Sequence, residues 1–429
     1  MTSLVRIAVS FAALLAAPAA WTQTLTWEDA LRRARQLAPG AVAATQTVRT
    51  ARADAAGAGR WPRTNPVVRL GGDHEISTDP SRTFGGRLEQ TFDIAGVAIA
   101  RARQAVANVS AARYRAAVQS LDALRAAADA FVALDQSQRA LAIWTALAEM
   151  YDQLSQTSAR TEEAGVSPRQ QTLLAMIEQS TVVGDLNQAT ADRARARAEL
   201  GILVGLDDAR ELAVTSADEL APPDGRDANG LVALALARRP EIPALRAQLD
   251  ESQRRGIAAA LELVPAPTLF FGVGAERFVV DPGEVRPNAT GLVGIGGVDH
   301  RSVVIAAGLT FPLPIFERNQ AERARATSDA MAARENLVIA ERRIRAEVNA
   351  AFAARSALWG TYRRWLTMST VIDEATALAR RGYEAGQVGI TATLVALERV
   401  ARGRLAVVRS RGDYWRARVA LARALGEIS

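Results

Sequence analysis

Two long stretches of the sequence contain no proline and have helical character. One runs from Gly96 to Gly165 and the other from Phe316 to Gly386, so each covers about 70 residues. As an α-helix, each would be roughly 100 Å long and would need partners along its whole length. In the second stretch, apolar residues such as Leu337 and Ile344 recur every seven positions. This spacing predicts a coiled coil, and therefore a fold that is mainly α-helical.

The chain consists of two copies of one unit. Pro39 in the first copy matches Pro240 in the second at an offset of 201 (240 − 39). Glu163–Gly165 matches Glu384–Gly386 at an offset of 221 (384 − 163), which predicts a longer loop in the second copy. The ordered matches indicate an internal duplication, with a proline-containing connector at residues 207–228.

Each copy follows the order helix, β-hairpin, long helix, turn and return helix. The opening helix of the first copy is predicted at Trp27–Arg60. A signal peptide is predicted at 1–20, and the first repeat at 21–206, with its hairpin at 67–94 and its turn near 165. The connector at 207–228 follows. The second repeat is predicted at 229–429, with its hairpin at 268–313 and its turn near 386.

The hairpin segments alternate apolar and polar residues, as two-faced strands do. In Arg87–Ile94, for example, Leu88 faces one side and Arg87 the other, and the loops between strands are predicted at Ser77–Gly86 and Val279–Arg301. Four strands of about 8–11 residues with this pattern suit a transmembrane β-barrel, but four strands cannot close one. The hairpins therefore form a soluble sheet or are completed by other copies. Three copies would give twelve strands, and dimers or tetramers remain open.

The first residues have the features of a secretory signal peptide. Met1–Ala20 contains one charge, at Arg6, then a short apolar stretch and an Ala-x-Ala cleavage pattern at Ala17–Ala19. The apolar stretch is too short to span a bilayer as a helix. An exported chain without cysteine fits the periplasm or outer membrane of a Gram-negative cell.

Composition argues against several kinds of site. The absence of cysteine excludes disulfides, thiolate metal sites and a cysteine nucleophile. The only two histidines, His74 and His300, lie in turn-rich segments and are interpreted as ordinary loop residues. All basic residues are arginine and the net charge is +6, but the arginines alternate with acidic residues along helices, which favours a solvated surface over nucleic-acid binding. We therefore expect a protein that is not an enzyme, with no catalytic residue, no metal site and no cofactor.

Several segments resemble the TolC-type outer-membrane efflux family, and in particular its CzcC/CusC-like branch. They are Leu25–Leu31, Asn65-Pro66, Leu88–Asp93 and the proline-rich strand exit Phe311–Gln320. The resemblance implies a homotrimer in the outer membrane, with a shared twelve-stranded transmembrane β-barrel on a periplasmic α-helical tunnel. It also implies a passive conduit that contacts outer-membrane lipid and belongs to a tripartite efflux system. The implied partners are a periplasmic adaptor protein and an inner-membrane pump of the RND type.

The resemblance further implies roles for particular residues. The adaptor-docking tips are expected at Gly165, Val166, Ser167, Pro168, Gly386, Gln387, Val388 and Gly389, where ordinary helix-turn chemistry is the alternative. A tunnel constriction is expected at Tyr383, Ala392 and Val395. The last two stand where the family has acidic residues, so gating by steric or hydrophobic contacts is expected. The barrel lumen is expected to contain Arg69, Asp73, Arg87, Glu89 and Asp93.

Two other functions remain as alternatives. A periplasmic adaptor would explain the coiled coils and the signal peptide, but neither the duplication nor the two-faced hairpins. A structural coiled-coil envelope protein would need no strands. The cargo is open: heavy-metal cations follow from the branch resemblance alone, and antibiotics, organic solvents or a secreted polypeptide are equally compatible.

Overall fold

The structure is a computed structural model that describes residues 24–62, 64–75, 81–217, 219–279 and 299–428. The predicted signal peptide lies outside these residues. The first repeat contains β1 (Thr24–Leu25), α1 (Trp27–Leu37), α2 (Pro39–Ala58), β2 (Val67–Glu75), β3 (Ser81–Thr91), α3 (Val97–Glu163) and α4 (Arg169–Leu203). Then follow β4 (Ala213–Val214), α5 (Ala228–Arg238), α6 (Glu241–Leu261), β5 (Thr268–Val279), β6 (Asp299–Thr310), α7 (Gln320–Glu384) and α8 (Ile390–Leu425).

The internal repeat and the long helices are confirmed. The order of α1, α2, β2, β3, α3 and α4 recurs as α5, α6, β5, β6, α7 and α8. Helix α3 has 67 residues and α7 has 65, while the return helices α4 and α8 have 35 and 36. None of the described helices combines the length and the apolar composition needed to cross a membrane.

The single helix predicted at Trp27–Arg60 is wrong, because the chain forms two helices there. Helix α1 ends at Leu37 and α2 begins at Pro39, with Ala38 between them in an extended conformation (ψ 135°). A residue that precedes proline is forced out of the helical region by contact with the proline ring, so the break falls at Ala38.

The strand bounds also differ from those predicted. Strand β3 begins at Ser81, inside the loop predicted at Ser77–Gly86, and it ends at Thr91 rather than at Ile94. The glycines that suggested a turn lie within the strand, where Gly85 pairs with Gly274 of β5. A Cβ atom on Gly85 would lie 3.0 Å from the Cα atom of Gly274, so this close pairing favours glycine.

The chain divides into two compact parts, and each contains segments of both repeats. The described residues of 24–42, 119–235 and 346–428 form the turn part, and those of 43–118 and 236–345 form the sheet part. The sheet part contains one four-stranded antiparallel sheet in the order β2-β3-β5-β6, so the two hairpins lie side by side. Strands β2 and β6 are the edges of this sheet within the described residues.

The turn part has an apolar core organised around three aromatic rings. The ring of Trp27 lies 5.5 Å from that of Phe131 and 5.2 Å from that of Trp415, measured between centroids. Leu25 is buried beside them and pairs with Val214, so that β1 and β4 form a short parallel ladder. The connector predicted at 207–228 thus contributes a strand to this core.

A buried ion pair joins α3, α8 and the connector. Asp135 and Arg411 form an ion pair, and their side chains are only 5% and 4% exposed. Ser216 donates to Asp135 Oδ1 (2.6 Å) and accepts from Arg411 Nη2 (2.9 Å), while Arg139 Nε donates to Asp135 Oδ1 (3.2 Å). Burial, the largest effect, lowers the pKa of Arg411, and the charge of Asp135 opposes that shift. The pair is therefore held by a network of polar partners, as a buried charge requires.

This network predicts a large loss of stability when one partner is removed. Arg411→Met should lower the free energy of unfolding by about 3 kcal/mol, because Asp135 would stay buried with less compensation. Arg402→Met is the matched control: it breaks the exposed pair with Glu398 and should cost less than about 1 kcal/mol. Guanidinium titrations followed by circular dichroism at one protein concentration measure the free energy of unfolding of both variants. Equal losses of stability in the two variants would contradict the proposed role of burial.

Candidate functional sites: the two-faced sheet and the helix turns

One face of the four-stranded sheet is apolar and exposed in the single chain. The register places Leu88 opposite both Val68 and Phe271, and Val273 opposite Ile305, so large apolar residues from all four strands share this face. The exposed apolar side chains of this face are Val68, Leu70, Phe84, Leu88, Leu269, Phe271, Val273, Val303, Ile305 and Leu309. Burial of each such side chain is worth about 1.5–3 kcal/mol, so this face favours contact with an apolar environment.

The opposite face carries polar residues and a compact charged layer. Arg69 Nε donates to Glu89 Oε2 at 3.1 Å, and Arg87 Nη1 lies 3.6 Å from Glu89 Oε1. The guanidinium of Arg87 also stacks on Phe270, at 4.4 Å from the ring centroid. The two arginines share one glutamate, so the layer has a net charge of +1 per chain.

The structure brings together three of the five residues expected in the lumen, namely Arg69, Arg87 and Glu89. Asp73 occupies the same face by register, opposite Thr83, but its side chain lies outside the described residues. That these residues line a lumen remains a prediction.

The placement of Asp93 in a strand is wrong. Asp93 lies two residues beyond the end of β3, and its carboxylate accepts hydrogen bonds from the backbone N–H groups of Val97 (3.0 Å) and Ala98 (2.5 Å). Its backbone oxygen accepts from Trp61 Nε1 at 3.1 Å. Asp93 therefore caps the first turn of α3, where free N–H groups and the helix dipole favour a carboxylate.

The two helix turns have the same backbone hydrogen bonds. Val166 N donates to Thr161 O (2.9 Å) and Gly165 N to Glu162 O (2.8 Å). At an offset of 221, Gln387 N donates to Gly382 O and Gly386 N to Tyr383 O, each at 2.9 Å. This pattern is the Schellman motif, which ends a helix with a left-handed residue. Gly165 and Gly386 have φ values of +72° and +68°, as the motif requires.

The side chains of the two turns differ. In the first turn, the hydroxyls of Thr161 and Ser167 lie 2.9 Å apart. In the second, the equivalent positions are Gly382 and Val388, and a Cβ atom on Gly382 would lie 3.0 Å from Val388 Cγ2. The return helix α8 begins at Ile390, after the extended residue Gly389.

Most of the predicted tip residues face solvent. Val166 is 78% exposed, and Gly165, Pro168, Gly386, Gln387, Val388 and Gly389 are also exposed, whereas Ser167 is half-buried. A Cβ atom on Gly165, Gly386 or Gly389 would meet nothing within 4 Å. The turns thus present open surface, and their role in docking remains a prediction.

Beneath the turns lies a cluster of buried residues from α3, α4 and α8, which we call the tip cluster. Its members are Leu147, Tyr151, Leu154, Ala175, Val182, Ile390, Leu394, Leu397 and Ala401. Tyr383 packs against this cluster, and burial raises the pKa of its hydroxyl. Ala392 and Val395 lie instead on the exposed side of α8. Tyr383 therefore lies in a different environment from Ala392 and Val395, and a shared constriction remains a prediction.

Sequence analysis did not identify Tyr151, which joins α3 to α8 within the tip cluster. Its hydroxyl donates to the backbone oxygen of Leu394 at 3.0 Å. Burial, with smaller contributions from the charges of Glu178 and Glu398, raises its pKa to about 12. Phe270 was also missed, because its contact with Arg87 depends on the pairing of β3 with β5, which the sequence does not specify.

No group of three acidic or histidine side chains close enough to hold a metal ion occurs in the part of the chain that the structure describes. The side chains of His74 and His300, the two histidines, lie outside that part.

The turn geometry predicts which glycines tolerate a side chain. Gly165→Ala and Gly386→Ala should each destabilise the protein by about 1 kcal/mol, because alanine is strained at positive φ. Gly389→Ala is the matched control: its φ is −68° and it has the same open surroundings, so its effect should be within about 0.5 kcal/mol. Chemical unfolding measures all three. If Gly389→Ala lost as much stability as Gly386→Ala, the loss at Gly386 could not be attributed to backbone strain at positive φ.

Comparison with known proteins supports the expected fold. Residues 231–427 match the family model described as "Outer membrane efflux protein". None of the curated proteins matches the sequence of this chain.

Solved outer-membrane proteins share the fold at low sequence identity. The Campylobacter jejuni CmeC outer membrane channel is 14% identical with a TM-score of 0.72, over 93% of this chain and 85% of CmeC. CusC is 18% identical with a TM-score of 0.68, over 94% of this chain and 92% of CusC. The open state of the Neisseria gonorrhoeae MtrE outer membrane channel is 17% identical with a TM-score of 0.64, over 94% of this chain and 89% of MtrE. The expected resemblance to outer-membrane efflux proteins is therefore confirmed: residues 231–427 match that family's model, and the chain shares the fold of these solved channels.

Proposed function

We propose that this chain is one protomer of a homotrimeric outer-membrane efflux channel. The observation that carries the proposal is the sheet, which has one continuous apolar face, one polar face and two edge strands. An apolar outer face and a polar inner face are what a water-filled barrel in a lipid bilayer requires.

The edges of the sheet explain why several copies are needed. Strands β2 and β6 are the edges of the sheet within the described residues, so their backbone groups are available for further pairing. In lipid, each unpaired backbone group costs several kcal/mol, and only a closed barrel satisfies all of them. If β6 of one copy pairs with β2 of the next, three copies close a twelve-stranded barrel.

The helices of the turn part support the same assembly. Leu173 and Met176 on α4 correspond to Leu394 and Leu397 on α8 at the repeat offset of 221. The α8 residues are buried in the tip cluster, whereas Leu173 and Met176 are 50% and 53% exposed. Helix α7 carries further exposed apolar residues at helical spacing, namely Met368, Val371 and Leu378. A neighbouring copy would cover these surfaces.

The proposed channel acts as a passive conduit and performs no chemistry. It carries cargo from a periplasmic adaptor and an inner-membrane pump of the RND type to the exterior. The CzcC/CusC-like segments suggest heavy-metal cations as this cargo. The lumen would contain Asp73 and the layer of Arg69, Arg87 and Glu89, whose mixed signs suit a wide pore of low selectivity. At the entrance, Tyr383, Ala392 and Val395 supply aromatic and apolar groups, so closure there is steric or hydrophobic.

Mass and conductance of the mature protein test this function. We expect protein extracted from outer membranes to have the mass of three chains by light scattering, and to produce discrete conductance steps in a planar bilayer. A species that neither assembles nor inserts would overturn the channel, and would favour the alternatives of a periplasmic adaptor or a structural envelope protein.

Docking of the adaptor at the turns can be tested with substitutions that do not strain the backbone. Val166→Glu and Gly389→Glu change exposed positions where a side chain is tolerated, so they should lower cross-linking to the adaptor and efflux at least tenfold while conductance stays normal. Gln36→Glu, on the exposed face of α1, adds the same charge away from the turns and should behave as the wild type. Unchanged cross-linking in both turn variants would show that the turns are not the docking site.

A further inference from the structure

A cavity of about 290 Å³ lies between the connector and the helices α7 and α8 of the turn part. The connector around Pro223, Arg355 of α7 and the last three turns of α8 line this cavity. Two contacts hold the connector beside the helices: the hydroxyl of Tyr414 donates to Ala221 O at 2.8 Å, and Arg355 forms an ion pair with Asp224. The fold therefore builds the cavity, and its volume is close to the lower end of the range for small-molecule sites, about 300–1,000 Å³.

The charged lining of this cavity is net positive. The guanidinium groups of Arg226, Arg355 and Arg418 line it together with the carboxylates of Asp224 and Glu427. Asp224 pairs with both Arg226 and Arg355, and the hydrogen bond from Arg355 is the largest of the effects that lower the pKa of this carboxyl group. Asp224 therefore stays ionised, and three guanidinium groups share two carboxylates, which leaves one positive charge without a matching negative one.

Two of these arginines have hydrogen-bond donors that the described residues leave unused. Arg418 is exposed, and its guanidinium forms no hydrogen bond or ion pair within the described part of the chain. The side chain of Arg355 is only 8% exposed, yet its Nε has no hydrogen-bond partner there. A buried donor without a partner is unfavourable, and a bound acceptor would remove this cost. The charges of both arginines also act on Tyr414: burial raises the pKa of its hydroxyl, and Arg418 and Arg355 oppose that shift.

The apolar part of the lining determines which kind of anion fits. Leu421 and Leu425 are buried side chains that line the cavity, and Pro222 and Pro223 line it from the connector. An inorganic anion would leave these apolar groups without contact, whereas the apolar body of an organic acid would cover them. The planar fork of donors in arginine matches the two oxygens of a carboxylate. The lining therefore favours a molecule that has both a carboxylate and an apolar body.

We propose that this cavity is a binding site for a small organic acid. The carboxylate of the bound acid accepts hydrogen bonds from Arg418 and from Nε of Arg355, and its apolar body packs against Leu421 and Leu425. The bound acid joins the connector to α7 and α8, and it thus stabilises the connector beside these helices. The inference is independent of the proposed function, because it requires neither a bilayer nor a second copy of the chain.

Binding of 3-(4-fluorophenyl)propionate to the full chain in detergent tests the site, with the line width in fluorine NMR as the readout. We expect saturable binding to the wild type, and at least tenfold weaker binding of the neutral amide of this acid, which lacks the charge. Arg418→Gln should weaken binding of the acid about fivefold, because an exposed charge pair contributes up to about this factor. Arg399→Gln is the matched control: it removes an exposed arginine of α8 that lies outside the cavity, so it should bind the acid as the wild type does.

Four results would overturn the inference. The first is equal binding of the acid and its amide, which would indicate partition into apolar surroundings. The second is equal binding of the acid by Arg418→Gln and the wild type. The third is an equal loss in Arg399→Gln, which would indicate a general effect of charge. The fourth is displacement of the acid by an equal concentration of inorganic phosphate, which would indicate a site for inorganic anions. Bilayer conductance of the wild type separates the two proposals: a protein that binds the acid but does not insert defeats the channel alone.

Discussion

Backbone hydrogen bonding at the edges of a small sheet is the constraint on which this structure depends. Within the described residues, the sheet of four strands leaves one row of backbone groups at β2 and another at β6, and it exposes an apolar face that extends from Leu269 to Ala275 along β5. A single copy satisfies neither the edges nor that face in water or in lipid. In the proposed channel, the long helices give neighbouring copies further surfaces for contact beyond the sheet.

The duplication shows which features of the backbone are fixed and which surfaces are free to diverge. The two Schellman turns share their hydrogen bonds and the sequence Glu-Ala-Gly, yet Val166–Pro168 in one corresponds to Gln387–Gly389 in the other. The backbone pattern needs only glycine at the left-handed position, so the exposed residues that follow can differ. Two turns of one shape thus present two different surfaces to any partner.

The sequence predicts the helices far better than it predicts the sheet. The absence of proline over about 70 residues indicates α3 and α7, and the glycines at 165 and 386 mark their ends, because both signals are local. The start of β3 was missed because Gly85 and Gly86 look like a turn until Gly274 is seen opposite them. Asp93 was assigned to a strand because alternation continues past Thr91. Only the geometry of α3 shows that its carboxylate caps a helix.

Strand register also determines the environment of each arginine, because it sets the face of the sheet on which the side chain lies. Arg87 and Arg277 lie on neighbouring strands, but Arg87 belongs to the polar face and contacts Glu89 and Phe270, whereas Arg277 continues the apolar face. In a hydropathy pattern both are simply charged positions in a strand. A shift of one residue in the pairing of β3 with β5 would exchange the two faces of one strand. It would place arginine among apolar rows and leucine in the charged layer. The grouping of large apolar residues from all four strands on one face therefore supports this register, and with it the different environments of the two arginines.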